Sequence, residues 1–287
     1  MADKNSIRYV ECPRDAMQGW PHFIPTEQKI DYINALLKVG FDTIDFGSFV
    51  SPKAIPQMAD TKAVLKGLQL NDSNSTLLAI AANKRGVEEA VYFEQIAYLG
   101  YPFSVSETFQ QRNSNASIAE SFQQLNEIVD ITNQQNKKLV VYISMGFGNP
   151  YGDVYNEDIV LNWVEKLIQS GVEIISLADT VGLASPQQVQ SITKHLIHEF
   201  PQIEIGVHLH STQENWQPKI DAALASGCLR IDGAMKGIGG CPMAGNELVG
   251  NMNTELLIPY FAAKGFQTQI NETAFKNAIE LASTIFV

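Results

Sequence analysis

Two histidines, His208 and His210, follow an apolar run at 203–207. Side chains alternate along a strand, so if this run is a strand, both imidazoles lie on the same side. Two imidazoles on one side can supply half of a metal site. The alternative is a pair of hydrogen-bonded histidines without a metal, because an unpaired polar group in an apolar strand is unfavourable. The pattern favours a metal site.

A second candidate group, Arg14, Asp15 and Gln18, follows the first apolar run of the chain. A carboxylate is a hard metal ligand, and an adjacent guanidinium can hold an oxyanion that develops during a reaction. A surface salt bridge between Arg14 and Asp15 is the simpler alternative. The pair therefore indicates chemistry only if the fold places it beside other functional groups.

Glycines are dense between residues 237 and 245, and this segment carries Cys241. A thiol on a closing loop can act as a general acid or base, whereas a phosphate-binding turn would need no cysteine. Cys12 and Cys228 lie in apolar stretches, which is typical of core packing. Three widely spaced cysteines form neither a disulfide framework nor a zinc ribbon, and they favour a reducing compartment.

Eight short apolar runs rich in β-branched residues predict strands at 7–12, 43–46, 76–81, 103–106, 139–144, 173–177, 203–207 and 229–231. Helical spacing of apolar residues occurs between and after them, at 26–39, 57–69, 86–98, 117–134, 155–170, 186–200, 214–226 and 252–264. This alternation predicts a parallel sheet with right-handed crossovers. Eight repeats favour an α/β fold of the (β/α)8 TIM-barrel type over an open doubly wound sheet.

We expect one domain over residues 1–287, with the barrel at about 7–265 and a C-terminal helical segment at about 270–287 packed outside it. Active sites of such barrels lie at the carboxyl ends of the strands. Ser48 and Lys53 after strand two, and Asp179 after strand six, also fall at this rim. Each has a structural alternative, because Asp179 can cap a turn and Ser51-Pro52 can begin a helix.

The composition is that of a globular protein, with 45% hydrophobic and 18% charged residues. A net charge of -11 without clustered lysine and arginine argues against a nucleic-acid partner. No apolar run reaches the roughly 18 residues of a membrane span, and the first residues carry no apolar signal segment. We expect a cytoplasmic protein without a membrane partner.

Taken together, the motifs resemble the hydroxymethylglutaryl-CoA lyase branch of the metal-dependent lyases and synthases built on this barrel. The resemblance extends from about residue 8 to residue 260. Its motifs are Arg-Asp with Gln18, Ser-Phe-Val-Ser-Pro-Lys with Pro-Gln-Met at 48–58, Ser-Glu-Thr-Phe at 106–109, Asp-Thr-x-Gly at 179–182, the His-x-His pair, Gly-Gly-Cys-Pro at 239–242 and Gly-Asn at 250–251.

The resemblance implies a divalent metal held by Asp15, His208, His210 and Asn251. Mg2+ or Mn2+ suits this oxygen-rich set best, although Zn2+ or Co2+ could use the same ligands. No organic cofactor is implied beyond the CoA of an acyl-CoA substrate. That anionic substrate would need local basic residues, and the candidates are Lys53, Lys84, Arg85, Arg112 and Lys236.

The implied reaction cleaves 3-hydroxy-3-methylglutaryl-CoA, or a close 3-hydroxyacyl-CoA, to acetoacetate and acetyl-CoA. Arg14 would stabilise the enolate oxygen, Cys241 would protonate the enolate carbon, and His208 would take part in proton transfer. The implied substrate-binding residues are Gln18, Ser48, Lys53 and Asp179. The outer helices of a barrel also offer surfaces for a homodimer.

Two positions and two segments depart from the family pattern, and they put the acyl group in question more than the reaction type. Asp45 stands where the lyases carry Glu, and Ser211 stands where an aspartate follows the second histidine. The segment 147–153 lacks a cysteine, and 246–249 lacks small residues. The alternatives are a condensing enzyme of the isopropylmalate or homocitrate synthase type and a catalytically weak acyl-CoA-binding barrel.

Overall fold

The structure is a computed structural model that describes residues 6–240 and 249–287. Eight parallel strands form a closed barrel in chain order, and the last strand pairs with the first. The predicted (β/α)8 barrel is therefore confirmed. The strands are β1 (Arg8–Glu11), β2 (Thr43–Ser48), β3 (Thr76–Ile80), β4 (Ile96–Ser104), β5 (Lys138–Ser144), β6 (Ile174–Ala178), β7 (Glu204–His208) and β8 (Arg230–Gly233).

Helices surround the barrel, and short 3-10 turns lie at Pro56–Met58 and Met235–Gly237. Within the two described ranges, the α-helices are α1 (Pro13–Gln18), α2 (Thr26–Leu37), α3 (Thr61–Gly67), α4 (Lys84–Ala90), α5 (Glu107–Ser114), α6 (Ile118–Gln134), α7 (Glu157–Gln169), α8 (Pro186–Glu199), α9 (Trp216–Ala225), α10 (Thr254–Ala263) and α11 (Glu272–Ile285).

Alternation along the strands divides the core into two parts. Val140 and Tyr142 of β5 join Leu78 and Ile174 in a cluster inside the barrel. The intervening residues of β5 belong to the larger core that also includes the helices. Both faces of each strand are therefore buried, which explains why the strands read as apolar runs.

Strand four was predicted wrongly at 103–106, because β4 runs from Ile96 to Ser104. Gly100 and Pro102 hide the strand in the sequence, since both residues normally weaken strand patterns. At Gly100 an added Cβ would crowd three different side chains, because it would lie 2.4 Å from Ile80 Cδ1, 3.0 Å from Tyr142 Cε2 and 3.4 Å from Leu78 Cδ2. Ser106 belongs to the next element, where its hydroxyl accepts from Phe109 N at the start of α5.

The helix predicted at 86–98 is also too long, because α4 ends at Ala90 and β4 begins six residues later. Two short helices, α1 and α5, were not predicted. Each follows the end of a strand directly and has too few turns for a clear apolar repeat.

The C-terminal helix α11 packs outside the barrel beside α2, as expected. The Phe286 ring lies 5.2 Å from that of Trp20 and 5.9 Å from that of Tyr32, and Asn271 N donates to Val39 O at 2.8 Å. Among the helices that the structure describes, none is long and apolar enough to cross a membrane.

Gly86 allows α4 to lie against the segment that follows β2. A Cβ added there would lie 2.5 Å from Phe49 O, a backbone atom, so Gly86→Ala must displace the chain. We expect a loss of about 1–3 kcal/mol in the free energy of unfolding, measured by urea denaturation. Gly67→Ala is the matched control, because its Cβ would meet movable atoms of Ile30 and alanine favours a helix. Equal losses in both variants would contradict this account.

Candidate functional site

A cavity of about 420 Å³ opens at the carboxyl ends of the barrel strands. This is the end at which barrels of this type carry their chemistry. Seven residues predicted from the sequence line it, namely Arg14, Asp15, Gln18, Ser48, Arg112, His208 and His210. Residues far apart in the sequence are therefore brought to the lining of a single cavity.

Asp15, His208 and His210 form a buried cluster that could hold a metal ion. One ligand atom from each lies within 4.8 Å of the other two. Asn251 joins the cluster, because its Nδ2 donates to Asp15 Oδ2 at 2.6 Å and its backbone forms an antiparallel bridge with His210. The fold thus brings together all four residues that the family resemblance implies as metal ligands.

His210 provides the clearest sign that the cluster fits a cation. Its Nδ1 lies 3.1 Å from Thr180 O, which can only accept, so Nδ1 carries the proton and Nε2 has a free lone pair. Nε2 is buried and has no hydrogen-bond partner among the described residues. Burial, and then the neighbouring His208, lower the pKa of His210 to about 4, so the ring is neutral at pH 7. A buried lone pair of this kind is unfavourable unless it binds something.

His208 is oriented by a carboxylate inside the barrel that sequence reasoning missed. Its Nδ1 lies 3.1 Å from Asp232 Oδ2, and the Asp232 side chain is fully buried. Burial lowers the pKa of His208, but the hydrogen bond and charge of Asp232 outweigh it and raise the pKa overall. Such a carboxylate fixes the ring and leaves Nε2 for a metal. The signal in the sequence is an acid within the apolar strand β8.

Asp15 is the hub of the site, because its carboxylate accepts four hydrogen bonds. Oδ1 accepts from Arg14 Nη1 at 3.0 Å and from Gln18 Nε2 at 2.7 Å. Oδ2 accepts from Gly240 N at 3.0 Å and from Asn251 Nδ2. Burial alone would raise its pKa, but Arg14 and the two histidines lower it to about 2. Asp15 is therefore ionised.

The glycine-rich segment approaches Asp15 closely. Gly239 has a φ of +125°, and a Cβ there would lie 2.3 Å from Asn251 Nδ2 and 2.8 Å from Asp15 Oδ2. Position 239 therefore requires glycine, because a side chain there would collide with Asn251 and Asp15. Cys241, predicted on the same loop, lies outside the described residues.

Arg14 is held by two carboxylates at the cavity wall. Its Nε and Nη2 donate to Asp45 Oδ2 at 3.0 and 2.5 Å, in addition to the bond to Asp15. Burial raises the pKa of Asp45 to about 6, although Arg14 opposes the increase. The shorter side chain at position 45 therefore still clamps the guanidinium.

The remaining predicted residues are not all at the cavity. Ser48 lines it, whereas Lys53 is exposed and Asp179 is buried behind it. Of the basic candidates in the described ranges, Arg112 lines the cavity. Lys84 instead pairs with Glu127 on the surface.

Asp179 forms a buried ion pair with Lys219, a residue that the sequence did not suggest. Lys219 Nζ lies 2.7 Å from Asp179 Oδ2 and donates to His210 O at 2.8 Å. Asp179 Oδ1 accepts from Ala184 N at 2.9 Å. The pair supports the backbone of the His-x-His segment from behind.

Removing one partner of this ion pair should strongly destabilise the fold. Lys219→Met keeps the size of the side chain but leaves the Asp179 carboxylate buried and uncompensated, so we expect a loss of about 3–5 kcal/mol in the free energy of unfolding. Lys84→Met is the matched control, and it should change the transition little because that pair is exposed. Adding Asp179→Asn to Lys219→Met should restore part of the loss. Indistinguishable melting of the two single variants would refute a stabilising role.

The chain matches proteins of one family along nearly its whole length. The HMGL-like family model covers residues 10–282. A hydroxymethylglutaryl-CoA lyase of Bacillus subtilis is 33% identical over 261 residues, covering 90% of this chain and 85% of that protein. The mitochondrial hydroxymethylglutaryl-CoA lyase of Mus musculus is 34% identical over 268 residues, covering 92% and 81%.

Solved structures of HMG-CoA lyases have the same fold as this chain. An HMG-CoA lyase from Acinetobacter baumannii, in complex with coenzyme A and 3-methylmalate, superposes with a TM-score of 0.91 at 32% identity, covering 100% of this chain and 93% of that chain. An HMG-CoA lyase from Bacillus subtilis gives a TM-score of 0.90 at 31% identity, covering 98% and 94%. The cavity and its buried cluster agree with these matches, and the family model and the relatives show that the chain belongs to the HMGL-like family.

Proposed function

We propose that this protein is a carbon–carbon lyase that cleaves 3-hydroxy-3-methylglutaryl-CoA to acetoacetate and acetyl-CoA. The proposal rests on the buried cluster of Asp15, His208 and His210 in the lining of the cavity, where His210 Nε2 has no hydrogen-bond partner among the described residues. Sequence relatives named hydroxymethylglutaryl-CoA lyase support the choice of reaction.

The metal in this proposal is Mg2+ or Mn2+, held by Asp15, His208, His210 and Asn251. Carboxylate and amide oxygens with two imidazoles suit these ions. When bound, the metal would act as a Lewis acid toward the hydroxyl and carboxylate oxygens of the substrate.

The protein's own groups would then control charge and protons. The tertiary hydroxyl would pass its proton to the protein, the carbon–carbon bond would break, and the electron pair would move into the enolate of acetyl-CoA. Protonation of the enolate carbon then returns one proton, so the reaction as a whole neither consumes nor releases a proton. Arg14, fixed by Asp15 and Asp45, would donate to the enolate oxygen. Loss of one such donor typically lowers the rate on the order of 10²- to 10³-fold. Cys241 would protonate the enolate carbon, with His208 as a partner in proton transfer.

The acyl-CoA would enter beside the end of α5. Arg112, Asn113 and Asn115 line this part of the cavity, and the Arg112 guanidinium lies 4.6 Å from the centre of the Tyr151 ring. A placed cation of this kind suits the phosphates of CoA in a chain with a net charge of -11. The solved relative from Acinetobacter baumannii binds coenzyme A, which supports a CoA-containing substrate.

Within the cavity, Gln18 and Ser48 are the proposed contacts to the acyl part. Lys53 and Asp179 lie outside the lining, so their predicted contacts with substrate have less support. For Asp179 we propose support of His210 through Lys219 instead. A homodimer and a cytoplasmic location remain predictions from the sequence.

Product analysis tests the proposed reaction. Purified protein incubated with 3-hydroxy-3-methylglutaryl-CoA and Mn2+ should release acetoacetate and acetyl-CoA in equal amounts, and EDTA should abolish both. The products are quantified by liquid chromatography and mass spectrometry. A metal-loaded protein that releases neither product would contradict the proposal and favour the condensing alternative.

Metal affinity tests the proposed ligand set separately from turnover. His210→Ala should lose Mn2+ binding. Asp232→Asn should weaken Mn2+ binding roughly 10- to 100-fold, because the new asparagine amide still orients His208 but lacks the negative charge of the aspartate. Asp221→Asn is the matched control on the outer surface, and its affinity should equal that of the wild type. Calorimetric titration measures all three. Stoichiometric, tight Mn2+ in His210→Ala would remove this residue from the ligand set.

A further inference from the structure

A thiol, an imidazole and a carboxylate meet inside the barrel, below the candidate metal site. Cys12 Sγ, a His208 ring nitrogen and an Asp232 oxygen all lie within 4.8 Å of one another. They belong to neighbouring segments, since β8 pairs with both β1 and β7. In the proposed chemistry, Asp232 only orients His208, and Cys12 has no role.

Within the described part of the chain, two of these groups are weakly hydrogen-bonded or lack a partner at one atom. Asp232 Oδ1 is buried and has no hydrogen-bond partner among the described residues. Cys12 Sγ makes a long contact of 3.6 Å with Val10 O. A fully buried carboxylate oxygen without a partner is unfavourable, and a bound cation would relieve it.

The donor set selects a class of cation. Thiolate, imidazole and carboxylate together suit Zn2+ and Cd2+, whereas a thiolate is a poor ligand for Mg2+ and Mn2+. We propose that Cys12, His208 and Asp232 form a second cation site, specific for thiophilic divalent ions.

Binding at this second site requires a proton to leave Cys12. Burial, and then the charges of Asp232 and Asp45, raise the pKa of the thiol well above its usual range, so it is protonated without a cation. A thiophilic cation stabilises the thiolate directly, and the proton is released to solvent as the metal–sulfur bond forms.

The two sites should exclude each other, because they share one imidazole. A neutral imidazole has one nitrogen with a free lone pair. The site formed with Asp15 and His210 needs that lone pair on His208 Nε2, with the proton on Nδ1 facing Asp232. The second site needs it on Nδ1, which moves the proton to Nε2 and turns that nitrogen into a donor. Occupancy by Zn2+ or Cd2+ therefore inhibits, a consequence that rests on the proposed role of His208.

Cd2+ titration of the full chain tests the site through the ultraviolet charge-transfer band of a thiolate bound to Cd2+. The titration uses a Cys241→Ala background, so that the loop thiol does not contribute. The band should form, should survive Cys228→Ala, and should vanish with Cys12→Ala. Cys12→Ser, which keeps the size but not the soft ligand, should also abolish it. A band that persists without Cys12, or that never forms, overturns the proposal.

Inhibition provides the second readout. Cys12→Ala on the otherwise native chain should cleave substrate at the wild-type rate with Mn2+. Half-inhibition of this variant should need at least about 10- to 100-fold more Cd2+. Loss of a residue that only hydrogen-bonds a metal ligand weakens metal binding by this factor, and loss of a ligand itself should weaken it at least as much. Equal sensitivity of both proteins would overturn inhibition through this site. The absorption band needs no turnover, so a failure of the proposed lyase activity would be distinguished from a failure of the second site.

Discussion

The Asp15 carboxylate holds the site together, because it accepts hydrogen bonds from four different groups. Through them it joins the end of β1 to the segment after β8, and through Arg14 it also joins β2. These segments are distant in sequence, and a barrel that is not closed would leave them apart. Closure of the barrel therefore brings together the groups that lower the pKa of Asp15.

Low polarity inside the barrel explains both the pairing of charges and the gaps in it. Arg14 with Asp45 and Lys219 with Asp179 are compensated pairs, as buried charges must be. His210 Nε2 and Asp232 Oδ1 are among the buried polar atoms that have no hydrogen-bond partner within the described residues, and both belong to residues that we propose as cation ligands. The same environment that penalises an unpaired lone pair makes its metal complex favourable.

The barrel and much of the site could be predicted from the sequence, because both depend on short-range periodicity. Eight apolar runs predicted closure, and alternation placed His208 and His210 on one side. The start of β4 was missed because Gly100 and Pro102 are disfavoured in isolated strands but suit this packed interior. Asp232 and Lys219 were missed because their partners come from distant segments of the chain, and only the folded chain shows those contacts.

The proposed reaction depends on a divalent metal bound by Asp15, His208 and His210 in the lining of the cavity. An anomalous difference map from a crystal grown with Mn2+ tests it most directly. The account predicts one strong peak in contact with an Asp15 oxygen and with Nε2 of both histidines. A peak elsewhere, with His210 Nε2 bonded to a protein group or to water alone, would contradict it.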